Sequence, residues 1–308
     1  MTELAVVGTP GGWSSEYLAD AFAARTDSRR LVDMSTVVFD VTKGTVLAPT
    51  EAGMVDLCQL DGIFIKKIGV AYSPDMLDRL EILRYVEARG VPIFSRPSRI
   101  LRLLDRLACT VTLAAAGVPM PETVVTEDVE VAVDAIERFG RAVLKPLYST
   151  KARGMRVIDA TEGRAALVTA VQDFVAAGNP VIYAQRWVDL SGRDLGIVFL
   201  GGDYVGTYAR VGKGGSWNTT IHDGGKYELA HPSEEWIDLA RRAQAPFELD
   251  FTCVDLAETA DGPIVFEVSA FGGFRGLRDG LELDAADMVA TFVLDRIGAR
   301  RRVVRGEA

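Results

Sequence analysis

Two apolar segments in the last third of the chain each carry a carboxylate at their centre. CVDLA (253–257) and VFEVS (265–269) set Asp255 and Glu267 among strand-forming residues, with Gly262-Pro263 in the turn region between them. Side chains alternate along a strand, so an antiparallel pair can bring both carboxylates to one face. Four hard oxygens gathered there are costly unless a cation neutralises them. Mg²⁺ suits such a place, needing only one or two carboxylates plus nucleotide phosphate oxygens. The alternative, that both residues face water on exposed strands, stays open at this point.

The rest of the pattern mixes strands and helices. LAVVGT (4–9) reads as a strand ending in glycine turns, with Ser14 or Ser15 placed to cap a helix running through Phe22. VVFDVTKGTVLA (37–48) reads as a hairpin around Lys43-Gly44, and DGIFIKKIG (61–69) as a buried strand ending in charge. Met76, Leu80, Leu83 and Val86 share one helical face before Gly90, so a first α/β domain spans 1–94. Residues 95–123 carry a helical pattern broken at Gly117-Val118-Pro119-Met120-Pro121. ETVVT, RAVLKPL (141–147), RVIDA and VIYAQRWV (181–188) then alternate with helices marked by Ala132, Ala135, Ile136 and Phe139, and by Leu167, Val171, Phe174 and Val175. The block 95–188 is thus expected to be an α+β unit of its own. In 189–308 strands dominate, with a helix beginning near Ser233, a last helix from about Leu283 to Ile297, and a solvated tail, ARRRVVRGEA.

Composition narrows the partners. A chain of 308 residues with 48% hydrophobic content can fill two or three cores. The net charge of −9 would repel a nucleic-acid backbone or an anionic membrane, so neither is an expected partner. There is no apolar run long enough to span a bilayer and no signal-peptide pattern at the start, which points to the cytoplasm. Cys58, Cys109 and Cys253 are scattered outside any CxxC arrangement, and the only histidines are His222 and His231. Little is left for a disulfide framework, a zinc site or a histidine-based triad.

Two further segments concern phosphate. GTPGG (8–12) stands where a strand meets a helix but fits neither GxGxxG nor GxxxxGK[ST], so a tight structural turn is the better reading. Lys145 ends the apolar strand LKPL, immediately before the small and basic loop STKARGM (149–155). A lysine so fixed can hold phosphate oxygens as a point charge, while Gly154 lets the loop fold over them. A snorkelling surface lysine would show the same local pattern.

In order and spacing, these segments together resemble the ATP-grasp superfamily, in particular the ribosomal-protein S6 modification enzyme and related α-L-glutamate ligases. The likeness runs from about Val86 to Ile297, with the first domain more loosely similar to the Rossmann-like pre-ATP-grasp domain. The resemblance implies Mg²⁺ or Mn²⁺ and ATP. In DRLACT, followed by AAGVPMP, Arg106 takes the position of a lysine that gives a cation to the nucleotide; Lys145 matches the strand lysine on the α- and β-phosphates. STKARGM, with Gly154, resembles the mobile lid. AQRWV is similar to the hinge, so Gln185, Arg186, Trp187 and Val188 would line the base. Asp194 in GRDLG would hold the ribose, Arg210 in YARVG would act on the transferring phosphoryl group, and Asn218 precedes HDGG as the family's asparagine does. Asp255, Glu267 and Ser269 fall on the metal ligands, Ser269 replacing the asparagine of the usual E-x-N.

The chemistry implied is a carboxylate–amine ligation through an acyl phosphate, on small-molecule substrates, with glutamate as a candidate amine and a small cofactor or metabolite as acceptor. Lys213, Lys226, Arg275 and Arg278 lie in glycine-rich segments on the acceptor side, Arg275 being the preferred substrate anchor. A homo-oligomer is compatible with the sequence. Two rivals remain: an ATP-grasp kinase that stops at phosphoryl transfer, and a nucleotide-binding regulatory protein without turnover.

Overall fold

The computed structural model describes residues 2–149, 152–190, 192–212 and 224–305. The first part holds β1 (Leu4–Val7), α1 (Trp13–Thr26), β2 (Leu31–Val32), β3 (Val38–Asp40), β4 (Thr45–Thr50), β5 (Gly53–Asp56), β6 (Gly62–Ile65), α2 (Asp75–Ala88) and β7 (Ile93–Phe94). The order β2-β1-β6-β7 forms a parallel sheet. β1 and β6 are buried along their whole length, which explains their unbroken apolar sequence. The hairpin turns at Lys43-Gly44, where Gly44 has φ +68°, and a third strand, β5, extends it. Neither Ser14 nor Ser15 caps α1. Gly12 is the N-cap, and the buried Ser15 hydroxyl instead accepts the Thr9 N–H at 3.1 Å, tying down the glycine turn.

Residues 95–123 form two helices rather than one, α3 (Pro97–Leu104) and α4 (Arg106–Ala115). The break falls at Asp105, whose carboxylate accepts the Leu107 N–H at 3.0 Å and caps α4. The central part follows: β8 (Thr123–Thr126), α5 (Val129–Phe139), β9 (Arg141–Leu144), β10 (Arg156–Asp159), α6 (Arg164–Ala176) and β11 (Ile182–Arg186). Its sheet has the antiparallel order β10-β9-β11-β8.

The last part contains β12 (Arg193–Leu200), β13 (Asp203–Val211), β14 (Lys226–Leu229), α7 (Glu234–Gln244), β15 (Phe251–Thr259), β16 (Gly262–Ser269), α8 (Phe274–Leu281) and α9 (Ala285–Arg305). Its antiparallel sheet has the order β14-β13-β12-β15-β16. The tail does not peel away after Ile297. α9 continues, because Arg301 pairs with Asp61 at 2.5 Å and Arg300 donates to the Gly90 carbonyl at 3.1 Å.

Core packing divides the molecule differently from the chain order. Ala132, Ile136, Leu144, Leu167, Val171, Phe174 and Ala184 close a core belonging to the central part alone. The other two cores each mix first-part and last-part residues, one joining Val6 and Phe64 to Phe251, Val289 and Ile297. At Gly62 an added Cβ would lie 2.7 Å from the tip of the Ile297 side chain, so any larger residue would push α9 or that side chain aside. No helix among the described residues is long and apolar enough to cross a membrane.

Candidate active site

Asp255 and Glu267 face each other. The register of β15 and β16 sets one opposite the other, so both side chains leave the sheet on the same face. Their side chains are 21% and 38% exposed and each meets an arginine: Arg210 lies 3.0 Å from Asp255, and Arg106 lies 3.6 Å from Glu267. A position on an open, water-facing strand does not describe either.

Arg210 stands across from Asp194 in the β12–β13 register. Its Nε donates to both Asp194 oxygens, at 3.0 and 3.2 Å, and a terminal nitrogen donates to the same carboxylate. The fork fixes the guanidinium plane, so its other contact reaches Asp255 in a set direction. Burial pushes the Asp255 carboxyl above the usual range; Arg210 opposes this, and the charges of Asp194 and Glu267 reinforce it. A carboxylate crowded by like charges is one that a divalent cation stabilises. Among the described residues no group of three or more His, Cys, Asp and Glu side chains is arranged to hold a metal. Magnesium would rest on Asp255 and Glu267 plus ligand oxygens, a donor set that fits its preference.

Lys145 approaches from the central part. It is buried, donates to the Gln185 side-chain oxygen, and lies 5.3 Å from the centre of the Phe266 ring. Gln185 is held in turn, donating to Thr123 Oγ1 at 3.0 Å and Tyr183 Oη at 3.2 Å. Burial lowers the Lys145 pKa to about 7, Arg106 adds repulsion, and Glu267 pulls the other way. Arg106 opens α4; its Nε donates to the Pro146 carbonyl at 3.3 Å, which holds its charge between Lys145 and Glu267.

Residues 104–293 match the model of the RimK-like ATP-grasp domain. The chain belongs to the RimK-like ATP-grasp family. It is an ATP-dependent carbon–nitrogen ligase. The tetrahydromethanopterin:alpha-L-glutamate ligase of Methanosarcina acetivorans is 24% identical over 310 residues, covering 92% of this chain and 96% of that protein. A probable alpha-L-glutamate ligase 2 of Hahella chejuensis is 24% identical, covering 92% and 91%. Among solved structures, the RimK domain ATP-grasp protein of Sphaerobacter thermophilus superposes with a TM-score of 0.70 at 23% identity, covering 94% of this chain and 99% of that one. The ATP-grasp ligase PsnB, complexed with a phosphomimetic variant of its minimal precursor, Mg and ADP, gives 0.73 at 17% identity, covering 96% and 99%.

Other residues singled out in the sequence have varied placements in this ATP-grasp chain. In the STKARGM segment, Gly154 has φ +71°, and an added Cβ would sit 3.1 Å from Pro146, so this turn favours glycine. In the AQRWV segment, the Arg186 and Trp187 amides are committed to the Glu122 and Arg141 carbonyls, and Val188 follows as the next residue. The Arg186 side chain turns outward to Glu122 at 3.0 Å, while the Arg141 guanidinium stacks 4.6 Å over Trp187. Asp194 is only 5% exposed and engaged by Arg210, so holding a ribose would mean giving up that fork.

Ser269 stands two residues beyond Glu267 at the end of β16. It pairs with Cys253 in the register, and its hydroxyl accepts the Phe271 and Gly272 amides at 3.2 and 3.1 Å. It therefore shapes the turn after β16, where the sequence pattern had placed a metal ligand. Arg275, on α8, is exposed and lies over Trp13. Lys213 and Asn218 lie outside the described residues.

The sequence reading overlooked Tyr208. Its ring occupies the space where a side chain at Gly196 or Gly276 would be, and its hydroxyl meets Cys253 Sγ at 3.2 Å. Two glycines on separate elements were the signal, and only the tertiary contact gives them a common cause.

Proposed function

We propose that this ligase activates a carboxylate as an acyl phosphate and passes it to an amine, adding glutamate to a small cofactor or metabolite in the cytoplasm. The observation that carries the reading is the registered pair Asp255–Glu267, flanked by Arg106 and Arg210 and faced by Lys145. The names of the similar glutamate ligases support the substrate class.

The roles follow from position. Asp255 and Glu267 would hold Mg²⁺ or Mn²⁺, which supplies charge neutralisation on the nucleotide phosphates. Lys145 binds phosphate oxygens as a point charge, and their negative charge would raise its depressed pKa and keep it protonated. Arg106 and Arg210 spread charge on the transferring group, and Asp194 orients Arg210. The substrate carboxylate attacks the γ-phosphorus and ADP leaves; the amine then attacks the acyl carbonyl and inorganic phosphate departs. The amine proton passes to solvent or to the released phosphate. The Gln185–Val188 segment would line the base, the Gly154 loop would exclude water from the acyl phosphate, and Arg275 with Lys213 and Asn218 would serve the substrate side.

The test is an ADP-release screen of paired carboxylates and amines with mass detection of the product. An amide formed with one ADP per turnover is expected. Phosphorylated product without amide would indicate a kinase and sink the proposal, as would nucleotide binding without turnover for any pair.

A further inference from the structure

The N-terminus of α1 and the start of α8 meet outside the phosphate site. Arg278 lies 4.2 Å and Arg275 5.4 Å from the centre of the Trp13 ring, and Trp13 is itself stacked on Tyr17 at 5.2 Å and 22°. Arg278 is partly engaged by Asp279 through its Nε. Arg275 is exposed, with no ion pair among the described residues.

Stacking on tryptophan occupies the face of a guanidinium and leaves its N–H edge free to donate. The platform also removes rotamer freedom beforehand, so an oxyanion binding there meets donors already held in place. The platform and Arg210 share a neighbour in Tyr227. Tyr227, on β14, packs edge-on against Tyr208 at 5.2 Å. Burial raises its phenol pKa, while Arg210 and Arg275 both pull it down, so that one side chain lies within electrostatic reach of both arginines. Trp13 also follows the carboxyl end of β1 in the parallel sheet, the edge at which open α/β sheets receive ligands.

We infer that Arg275 and Arg278, held on Trp13, bind an oxyanion carried by the acceptor substrate at its end remote from the reacting group. The substrate class is therefore a molecule with a second carboxylate or a phosphate, reaching from Arg210 past Tyr227 to Trp13. This rests on the ligase reading above for which substrate is meant, but the oxyanion site itself can be tested without turnover.

The experiment is calorimetric binding to the full chain with Mg·ADP present, using L-glutamate against L-glutamine and O-phospho-L-serine against L-serine. At least about a tenfold preference for one anionic probe over its neutral partner is expected, and the preferred pair tells carboxylate from phosphate. Arg275→Gln and Arg278→Gln should each remove most of that preference. Arg275→Lys should restore part of it, because charge returns without the fork. Trp13→Leu should weaken the anionic probe by a smaller factor, since the charges persist but their platform does not. A preference unchanged in the Arg275→Gln, Arg278→Gln double variant, or no preference in the parent chain, overturns the inference. Failure of Mg·ADP itself to bind would count against the ligase reading, and the anionic preference would still be read from the same titrations without nucleotide.

Discussion

The central part and the remainder of the molecule are built on opposite plans. Strands β8 to β11 with α5 and α6 close a core of their own, whereas the first and last sheets share two cores and are clasped by α9. Where the two bodies meet, polar contacts take over: the Arg106 amide donates to the Leu147 carbonyl at 3.1 Å, and the Thr110 and Tyr183 hydroxyls lie 2.9 Å apart. Lys145 and Gln185 ride on one body, and Arg210, Asp255 and Glu267 on the other. The candidate site thus draws its residues from two separately packed bodies.

The largest expected effect comes from removing charge at the seam while leaving the bodies intact. Asp255→Asn and Glu267→Gln should each lower ADP formation by about 10³-fold, the upper range for losing one preorganised charge-stabilising group. Unfolding midpoints should move by only a few degrees, about what 1 kcal/mol produces in a chain of this size. Glu130→Gln removes the same charge from an exposed ion pair with Arg164 on the central body and should leave turnover unchanged. Equal losses in all three variants would mean that the seam holds no special role.

The independence of the two bodies can be broken directly. Phe174→Ala empties the central core at a cost of about 3–5 kcal/mol. Amide exchange should quicken throughout β8–β11 while β1, β6 and β15 keep their protection. Val289→Ala, costing about 1–3 kcal/mol in a shared core, should loosen the first and last sheets together. If Phe174→Ala opened all three sheets alike, the division into bodies would be wrong.

A smaller effect sharpens the assignment of the central body to phosphate binding. Lys145→Met should lower Mg·ADP affinity by about 10- to 100-fold, one charge-assisted contact being worth about 1.5–3 kcal/mol. It should cost the fold only about 1 kcal/mol, for the Gln185 oxygen left without its donor, because burial already disfavours the ammonium and methionine fills similar space. Unchanged affinity, measured by calorimetry, would remove Lys145 from the site.

What the sequence disclosed follows the same division between local and long-range causes. The helical face of Met76, Leu80, Leu83 and Val86, the hairpin at Gly44 and the paired strands of Asp255 and Glu267 all arise from spacing within a short window, and each is found. α8 was invisible because Gly276 and Gly280 argue against a helix locally; they are there because the Tyr208 ring presses on that face. Ser269 shows the limit of position matching: it occupies a ligand's place in the pattern, but its oxygen is spent on two turn amides. α9 outran its expected end because Asp61 and Gly90, more than two hundred residues earlier, receive its arginines.

Lys66 offers the last and smallest test, on the shared side of the comparison. It follows β6 directly, is fully buried, donates to the Phe271 carbonyl at 2.8 Å and lies 4.0 Å from the centre of the Phe274 ring, so it ties the first sheet to the turn after β16. Burial holds its pKa well below the free value, with Lys67 adding repulsion. Between that depressed value and the unfolded pKa of about 10.4 the unfolded chain binds more protons, so this residue makes stability rise with pH across the window. Lys66→Met leaves Phe271 without its donor, costing about 1 kcal/mol, but removes the pH-dependent penalty. Denaturant midpoints for the parent chain and Lys66→Met, compared at rising pH, should therefore shift progressively in the parent's favour. Parallel profiles would show that Lys66 keeps an ordinary pKa, and that the bond across the shared core is made by a charged ammonium resting on Phe274.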